Sequence, residues 1–188
     1  MQFTTIFCAF AIASTQASAG IMFIDLKHAP PGNAPFDTPY STAANGKVIV
    51  GTTGIATETS GNEAAVWTPS TGSIGLGILT QSARGVSGDG LVVVGGSGSL
   101  LGDMAYRWTE QSGVVGLGYL PGHGKSTAYA ASFDGSVIVG ESSAIGGGQT
   151  QAFRWTQASH MVDIGPGFAY DISDDGSVVV GSNYAGSG

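Results

Sequence analysis

Apolar positions along this chain gather in short runs separated by glycines and small polar residues, and the runs come in a fixed order. The clearest unit opens with a small, alternating run, Ala128-Tyr129-Ala130-Ala131-Ser132, followed by a near-continuous apolar one, Ser136-Val137-Ile138-Val139-Gly140. A third run, Gln151-Ala152-Phe153-Arg154-Trp155-Thr156, puts Phe153 and Trp155 on one face of a period-two strand, and a fourth, Met161-Val162-Asp163-Ile164, ends at Gly165. Runs of this length and β-branched content predict strands. The first two runs are joined by Asn45-Gly46, Asp89-Gly90, Asp134-Gly135 and Asp175-Gly176. Such dipeptides accept the positive φ of a tight type I′ turn, so each joined pair is expected to be a hairpin.

The unit repeats. Its turn glycine stands at Gly46, Gly90, Gly135 and Gly176, with steps of 44, 45 and 41 residues. The tryptophan stands at Trp67, Trp108 and Trp155, with steps of 41 and 47, and the closing glycine at Gly77, Gly118 and Gly165 takes the same two steps. Fixed spacing within each landmark and variable spacing between them assign insertions to surface loops. Four antiparallel strands per unit, with a large aromatic in each, predict an all-β fold. The expected architecture is a β-propeller-like array of about three complete four-stranded blades plus a partial closing blade. The units are about 41–79, 82–120 and 126–165, with a partial one over 168–188. Propeller blades pack face to face, so both faces of a strand are apolar, as in Val92-Val93-Val94 and Val178-Val179-Val180. A β-solenoid or open β array is the alternative, although its coils repeat at shorter intervals. In either architecture Trp67, Trp108 and Trp155 are core residues, and the Asn-Gly and Asp-Gly pairs are structural turns.

The ends carry a further expectation. Met22-Phe23-Ile24-Asp25-Leu26 resembles the fourth run of a blade, which makes residues 21–26 a candidate closing strand. At the other end Ala169 to Ser173 and Ser177 to Gly181 supply two strands with no tryptophan-bearing run after them. Propellers remove their edges by pairing terminal strands. Here the closing blade would lack its third strand, so the chain is expected to be a fragment of a longer ring or to self-associate through the incomplete blade.

Composition narrows the function classes. With 32 glycines in 188 residues and only 10% charged residues, the chain is no helical bundle. Six Lys and Arg, scattered singly and outweighed to a net charge of -7, make no basic patch, which argues against nucleic acid as a partner. Residues 1–19 read as a signal peptide: an apolar core over Ile6 to Ala13 leads to Ala17-Ser18-Ala19, a small-x-small cleavage site before Gly20. A single β-repeat domain, 20–188, would remain. No other apolar stretch is long enough to cross a membrane, so no integral membrane segment is expected in the mature chain. The only cysteine, Cys8, lies in the leader, so the mature chain has no disulfide, Cys-ligated zinc or cysteine nucleophile. A disulfide-free exported protein suits bacterial secretion to the outside or the cell surface, with the periplasm as the other compartment.

The string Trp108-Thr109 to Gly118-Tyr119-Leu120-Pro121-Gly122, then Ala128 to Gly140 and Gln151 to Thr156, resembles the bacterial HAF-type probable extracellular repeat, named for a His-Ala-Phe element. The His position holds Ala64, Met104 or Gln151, and the Phe position Val66, Tyr106 or Phe153. The resemblance runs from about Ser41 to Gly181. It implies an exported, propeller-like repeat protein of undefined biochemical role, and it carries over no catalytic residues.

Few positions invite chemistry. Asp171, Ser173 and Asp175, three oxygens spaced before Gly176, are how a calcium loop begins, yet the twelfth place is Ser182 and not Glu. An ordinary hairpin turn with an acidic edge is the competing reading, and calcium is the only cofactor with any support. Asn45 in place of the turn Asp keeps the geometry and drops the charge, so this position serves backbone conformation and not catalysis. Gly122 to Thr127 lacks the glycine spacing of a phosphate loop and precedes a predicted strand. His28, His123 and His160 show no metal spacing. The reading is therefore an exported, non-catalytic structural or binding scaffold. Its Gly, Ser and Thr rich loops would meet a glycan, matrix component or protein partner, with Tyr40 and Tyr119-Leu120-Pro121 as the aromatic loop candidates. The alternative is a secreted propeller-type carbohydrate-active hydrolase or lyase, for which Asp37, Glu58, Glu63, Asp103 and Glu141 are the acids to test.

Overall fold

The computed structural model describes residues 38–54, 62–79, 82–97, 103–146 and 148–183. The candidate leader and the candidate closing strand, residues 1–19 and 21–26, lie outside them. All fourteen elements among the described residues are β-strands. The first sheet holds β1 (Thr38–Thr42), β2 (Ile49–Gly54), β3 (Asn62–Thr68) and β4 (Gly72–Leu79); the second holds β5 (Ser82–Val86), β6 (Val93–Ser97), β7 (Met104–Thr109) and β8 (Gly113–Gly118). A third holds β9 (Lys125–Ala131), β10 (Val137–Ser143), β11 (Thr150–Thr156) and β12 (His160–Pro166), and β13 (Phe168–Ile172) pairs with β14 (Val179–Ser182) in a fourth. Every sheet is an antiparallel meander whose spatial order follows the chain. The chain is an all-β, propeller-like array that is not closed.

The hydrophobic core lies between sheets, in three layers. Val50 and Ala64 of the first sheet meet Val93 and Tyr106 of the second. Val92, Val94 and Ala105 of the second meet Ile138, Phe153 and Trp155 of the third, and Val137 and Val139 meet Ala169 and Ile172 of the fourth. Successive residues of β6 and β10 thus point into different layers, which is why the central runs are apolar without alternation. The three tryptophans differ: Trp155 is buried, Trp108 packs against the first layer, and Trp67 is half-buried on a face that no described sheet covers.

The hairpin turns depart from the type I′ expectation. Among the described residues only Asp103 and His160 are non-glycines at positive φ, so Asn45, Asp89, Asp134 and Asp175 are not in the left-handed region. The Gly135 N–H donates to the Ser132 carbonyl at 3.0 Å and the Ser132 N–H to the Val137 carbonyl at 2.9 Å, and the other three hairpins repeat the pair. This is a four-residue loop built on a type I turn and ended by a left-handed glycine, with φ of +66, +81, +66 and +71° at Gly46, Gly90, Gly135 and Gly176. Side-chain bonds select it. Asp134 Oδ1 accepts from Ser132 Oγ (2.9 Å) and the Ser136 N–H (2.9 Å), and Ser132 Oγ accepts from the Val137 N–H at 3.1 Å. Asp89 and Asp175 make the same bonds, while Asn45 Oδ1 accepts from the Lys47 N–H at 2.8 Å. An acceptor oxygen is the requirement at this position, and Asn meets it as well as Asp.

One further device recurs. The first strand of every sheet carries a bulge, between Pro39 and Ser41, Ala83 and Gly85, Ala128 and Ala130, and Ala169 and Asp171. The extra residue presses the strand backbone against Gly51, Gly95, Gly140 and Gly181 of the second strand. A Cβ at Gly140 would collide with the Thr127 carbonyl and stand 2.8 Å from Ala128 Cα, and the other three glycines face the same obstruction. The glycine ending each Val-Val-Gly run is therefore forced by a close approach. Register also corrects the repeat alignment: opposite these glycines stand Tyr106, Phe153 and, in the first sheet, Ala65 rather than Val66.

Candidate functional site

Strands β1, β5, β9 and β13 lie side by side along the inner edge of the array. Each bulge inserts one residue: Tyr40, Arg84, Tyr129 and Tyr170, every one of them six positions before its turn glycine. A bulge re-aims the side chain it inserts. All four side chains line a groove of about 520 Å³ whose floor is formed by small residues such as Gly85, Ala130 and Ala131.

Neighbouring members touch. The Arg84 guanidinium sits 5.0 Å from the Tyr40 ring centroid, a cation–π distance. Tyr129 and Tyr170 are 5.7 Å apart at an interplanar angle of 57°, and Phe168 stacks on Tyr170 at 5.6 Å and 5°. The Tyr129 hydroxyl donates to Glu141 Oε1 at 2.8 Å, and Ser182 Oγ donates to the Tyr170 hydroxyl at 3.3 Å. Burial, reinforced by the bond to Glu141 and its charge, raises the Tyr129 pKa, so this phenol stays protonated at any physiological pH. Tyr40 and Tyr170 remain about half exposed. The wall thus offers aromatic faces and one cation, with the Asp171 and Asp174 residues at its β13 end.

The other sequence candidates scatter. Asp37, Glu58 and His28 lie outside the described residues. Glu63 accepts from the Gly77 N–H, Asp103 pairs with Lys125 at 2.9 Å, and Glu141 holds Tyr129. Of the described acids, Asp103 and Glu141 share a polar depression of about 200 Å³ that also contains Lys125. Asp175 Oδ1 is occupied by its own turn and Asp171 Oδ1 accepts from the Ile172 N–H at 2.9 Å. Among the described residues no three His, Cys, Asp or Glu side chains are grouped to hold a metal ion. His123 Nδ1 lies 3.1 Å from Ser142 Oγ, and His160, at φ +54°, occupies the β11–β12 turn where the first two sheets have Gly72 and Gly113. Leu120 is buried between the second and third sheets, so Tyr119-Leu120-Pro121 is no free loop tip. Tyr40 belongs to strand β1 and the groove wall, not to a loop.

No described helix is long and apolar enough to cross a membrane. No family model matches the chain, and no curated protein matches it. Solved structures do. The chain is similar to TolB from Acinetobacter baumannii, with a TM-score of 0.51 and 18% identity over 79% of this chain and 38% of that one. It is also similar to a protein assigned as TolB from Agrobacterium tumefaciens, with a TM-score of 0.52 and 13% identity over 77% of this chain and 56% of that one. The chain therefore spans well under two thirds of either protein, and the likeness at such identities shows the fold: a propeller-like array of β-sheets.

Proposed function

We propose that this chain is an exported, non-catalytic propeller-type scaffold that holds a segment of a protein partner along the groove of its inner strands. One observation carries the reading. Four repeat-equivalent positions, Tyr40, Arg84, Tyr129 and Tyr170, converge on one wall and take no place in the layers between sheets. Tyrosine and arginine are among the residues that concentrate binding energy at protein interfaces: both offer large contact area and polar ends, tyrosine at little entropic cost and arginine with a planar charged fork. Of the candidate acids for a hydrolase, Asp103 and Glu141 are each engaged by a neighbour. Export rests on the leader over residues 1–19 and the absence of mature cysteine, and membership of the HAF-type extracellular repeats rests on the motif spacing.

Panning a phage-displayed peptide library against the immobilised chain tests this, with a glycan array probed in parallel. Peptide binders are expected, and Arg84→Ala and Tyr170→Ala should each weaken them at least about tenfold, the size of an ordinary hot-spot truncation. Lys125→Ala, on the polar depression, should leave them unchanged. Binders indifferent to both groove substitutions, or binding to glycans alone, would overturn the assignment.

A further inference from the structure

Among the described residues, the two outermost faces of the array carry parts of the two sides of an interface that the chain builds three times internally. In each internal layer the second strand supplies valines two and four places after its turn glycine, and the following sheet receives them. Val48, Val92 and Val137 press on the turn glycines Gly90, Gly135 and Gly176, where a Cβ at Gly176 would stand 2.8 Å from Val137 Cγ2. Val50, Val94 and Val139 are fully buried. A main-chain bond links neighbouring turns: Ala44 N–H to the Gly88 carbonyl, Asp89 N–H to that of Phe133, and Phe133 N–H to that of Asp174.

In the fourth sheet the same two valines, Val178 and Val180, are 59% and 56% exposed. On the first sheet no described residue covers the receiving half. Gly46 has nothing within 4 Å, unlike its three equivalents. Ala65 replaces the aromatic of the later sheets, and with Ile49, Trp67 and Ser73 it lines a small notch. The valines of the fourth sheet and the turn glycine of the first keep the order of the interface already present inside the chain.

We infer that two copies of this chain dock head to tail, Val178 and Val180 of each seating on the Ile49, Ala65 and Trp67 face of the other. Such a heterologous contact closes when the rotation per unit allows it. Two chains give six four-stranded sheets and two two-stranded ones, eight units in all, at the upper end of the roughly 4–8 blades that propellers use. The pair would also complete the ring of inner strands around the groove. This inference does not depend on what the groove binds.

Sedimentation velocity on the full chain decides it, with Val180→Glu, Ser73→Glu and, as a control, Ile145→Ser, which removes an exposed apolar side chain on the β10–β11 connection. Circular dichroism verifies that each variant folds. The wild type and the control should sediment at twice the 18.8 kDa of one chain. Both glutamate variants should fall to single-chain mass, a twofold drop, because a charge on either half breaks both contacts of the ring. A single-chain wild type overturns the inference, as does a pair unaffected by both substitutions. A pair that only Val180→Glu dissolves is overturned too, since it joins like faces, and open-ended polymers exclude the closed ring.

Discussion

Gly140→Ala separates a glycine needed for close approach from one needed for turn geometry. Gly140 lies opposite the bulge at Tyr129, and a methyl there would collide with the Thr127 carbonyl oxygen, with Ala128 Cα at 2.8 Å and Phe153 Cε1 at 2.9 Å. Two of the three obstacles are main chain, which cannot rotate away. Overpacking a core with one methyl costs about 1–3 kcal/mol where side chains can adjust. Here β9 must move from β10, weakening ladder hydrogen bonds worth about 1 kcal/mol each, so a loss of about 3 kcal/mol or more is expected. For a chain of this size that lowers Tm by about 6–12 °C. Gly46→Ala is the counterpart. Its φ is +66° with nothing within 4 Å, so only the left-handed penalty of about 1–2 kcal/mol applies. Urea unfolding followed by tryptophan fluorescence measures both. Gly140→Ala no more costly than Gly46→Ala would refute the close-approach account. Because the displaced strand carries Tyr129, a folded Gly140→Ala should also lose peptide binding while Gly46→Ala retains it.

Two further outcomes follow from the hydrogen bonds. Hydrogen bonds from Ser173 and Ser177 hold the Asp175 pKa down to about 2, and the Ser136 N–H and hydroxyl with Ser132 lower that of Asp134. A depressed folded pKa gives stability that is present above the unfolded value near about 4 and is lost as pH falls toward about 2. Urea midpoints should therefore drop across that window, and Asp134→Asn with Asp175→Asn should flatten the drop while Asp134→Ala lowers the midpoint at neutral pH too. A slope unchanged in the double Asn variant would count against the turns as its source. Ser126→Ala tests the joint between the second and third sheets: Ser126 Oγ accepts from the Ala105 N–H at 2.8 Å and donates to the Gly118 carbonyl at 2.7 Å, both across sheets. Orphaning the buried amide should cost about 1–3 kcal/mol in urea unfolding, and a change under about 0.5 kcal/mol would mean water replaces the hydroxyl.

The strand order and the packing of both faces of the central strands were legible because they follow from periodicity and from Val-rich runs that one-sided sheets do not need. The turn type was not. Asp-Gly suits type I′, but in all four hairpins the Asp or Asn oxygen accepts from the N–H two places on, and that bond favours the longer loop. The candidate site escaped for a related reason. Alternation along Ala128-Tyr129-Ala130 presumes an unbroken ladder, whereas the bulge changes where Tyr129 points. Its signal was present nonetheless, in the glycine of each Val-Val-Gly run, which marks where a backbone comes too near for a side chain. By register the Phe position of the first unit is Ala65 and not Val66, on the sheet face without a described neighbour.

The inner hairpin also explains why function would settle where it does. Counting from the turn glycine, the acceptor one place before and the glycine five places after are each fixed by a bond or a contact, and the valines two and four places after are fixed by contacts in the first three units. The inserted residue six places before is held by the bulge yet enters no layer between sheets, so its identity is released from packing: Tyr, Arg, Tyr and Tyr in turn. A position whose direction is fixed and whose side chain is free is where a repeat can vary its surface without endangering its fold. Exchanging Arg84 for Tyr should accordingly cost little stability, within about 0.5 kcal/mol. The same exchange should shift which peptides the groove selects toward those less acidic, and loss of folding in that variant would tie the position back to the core.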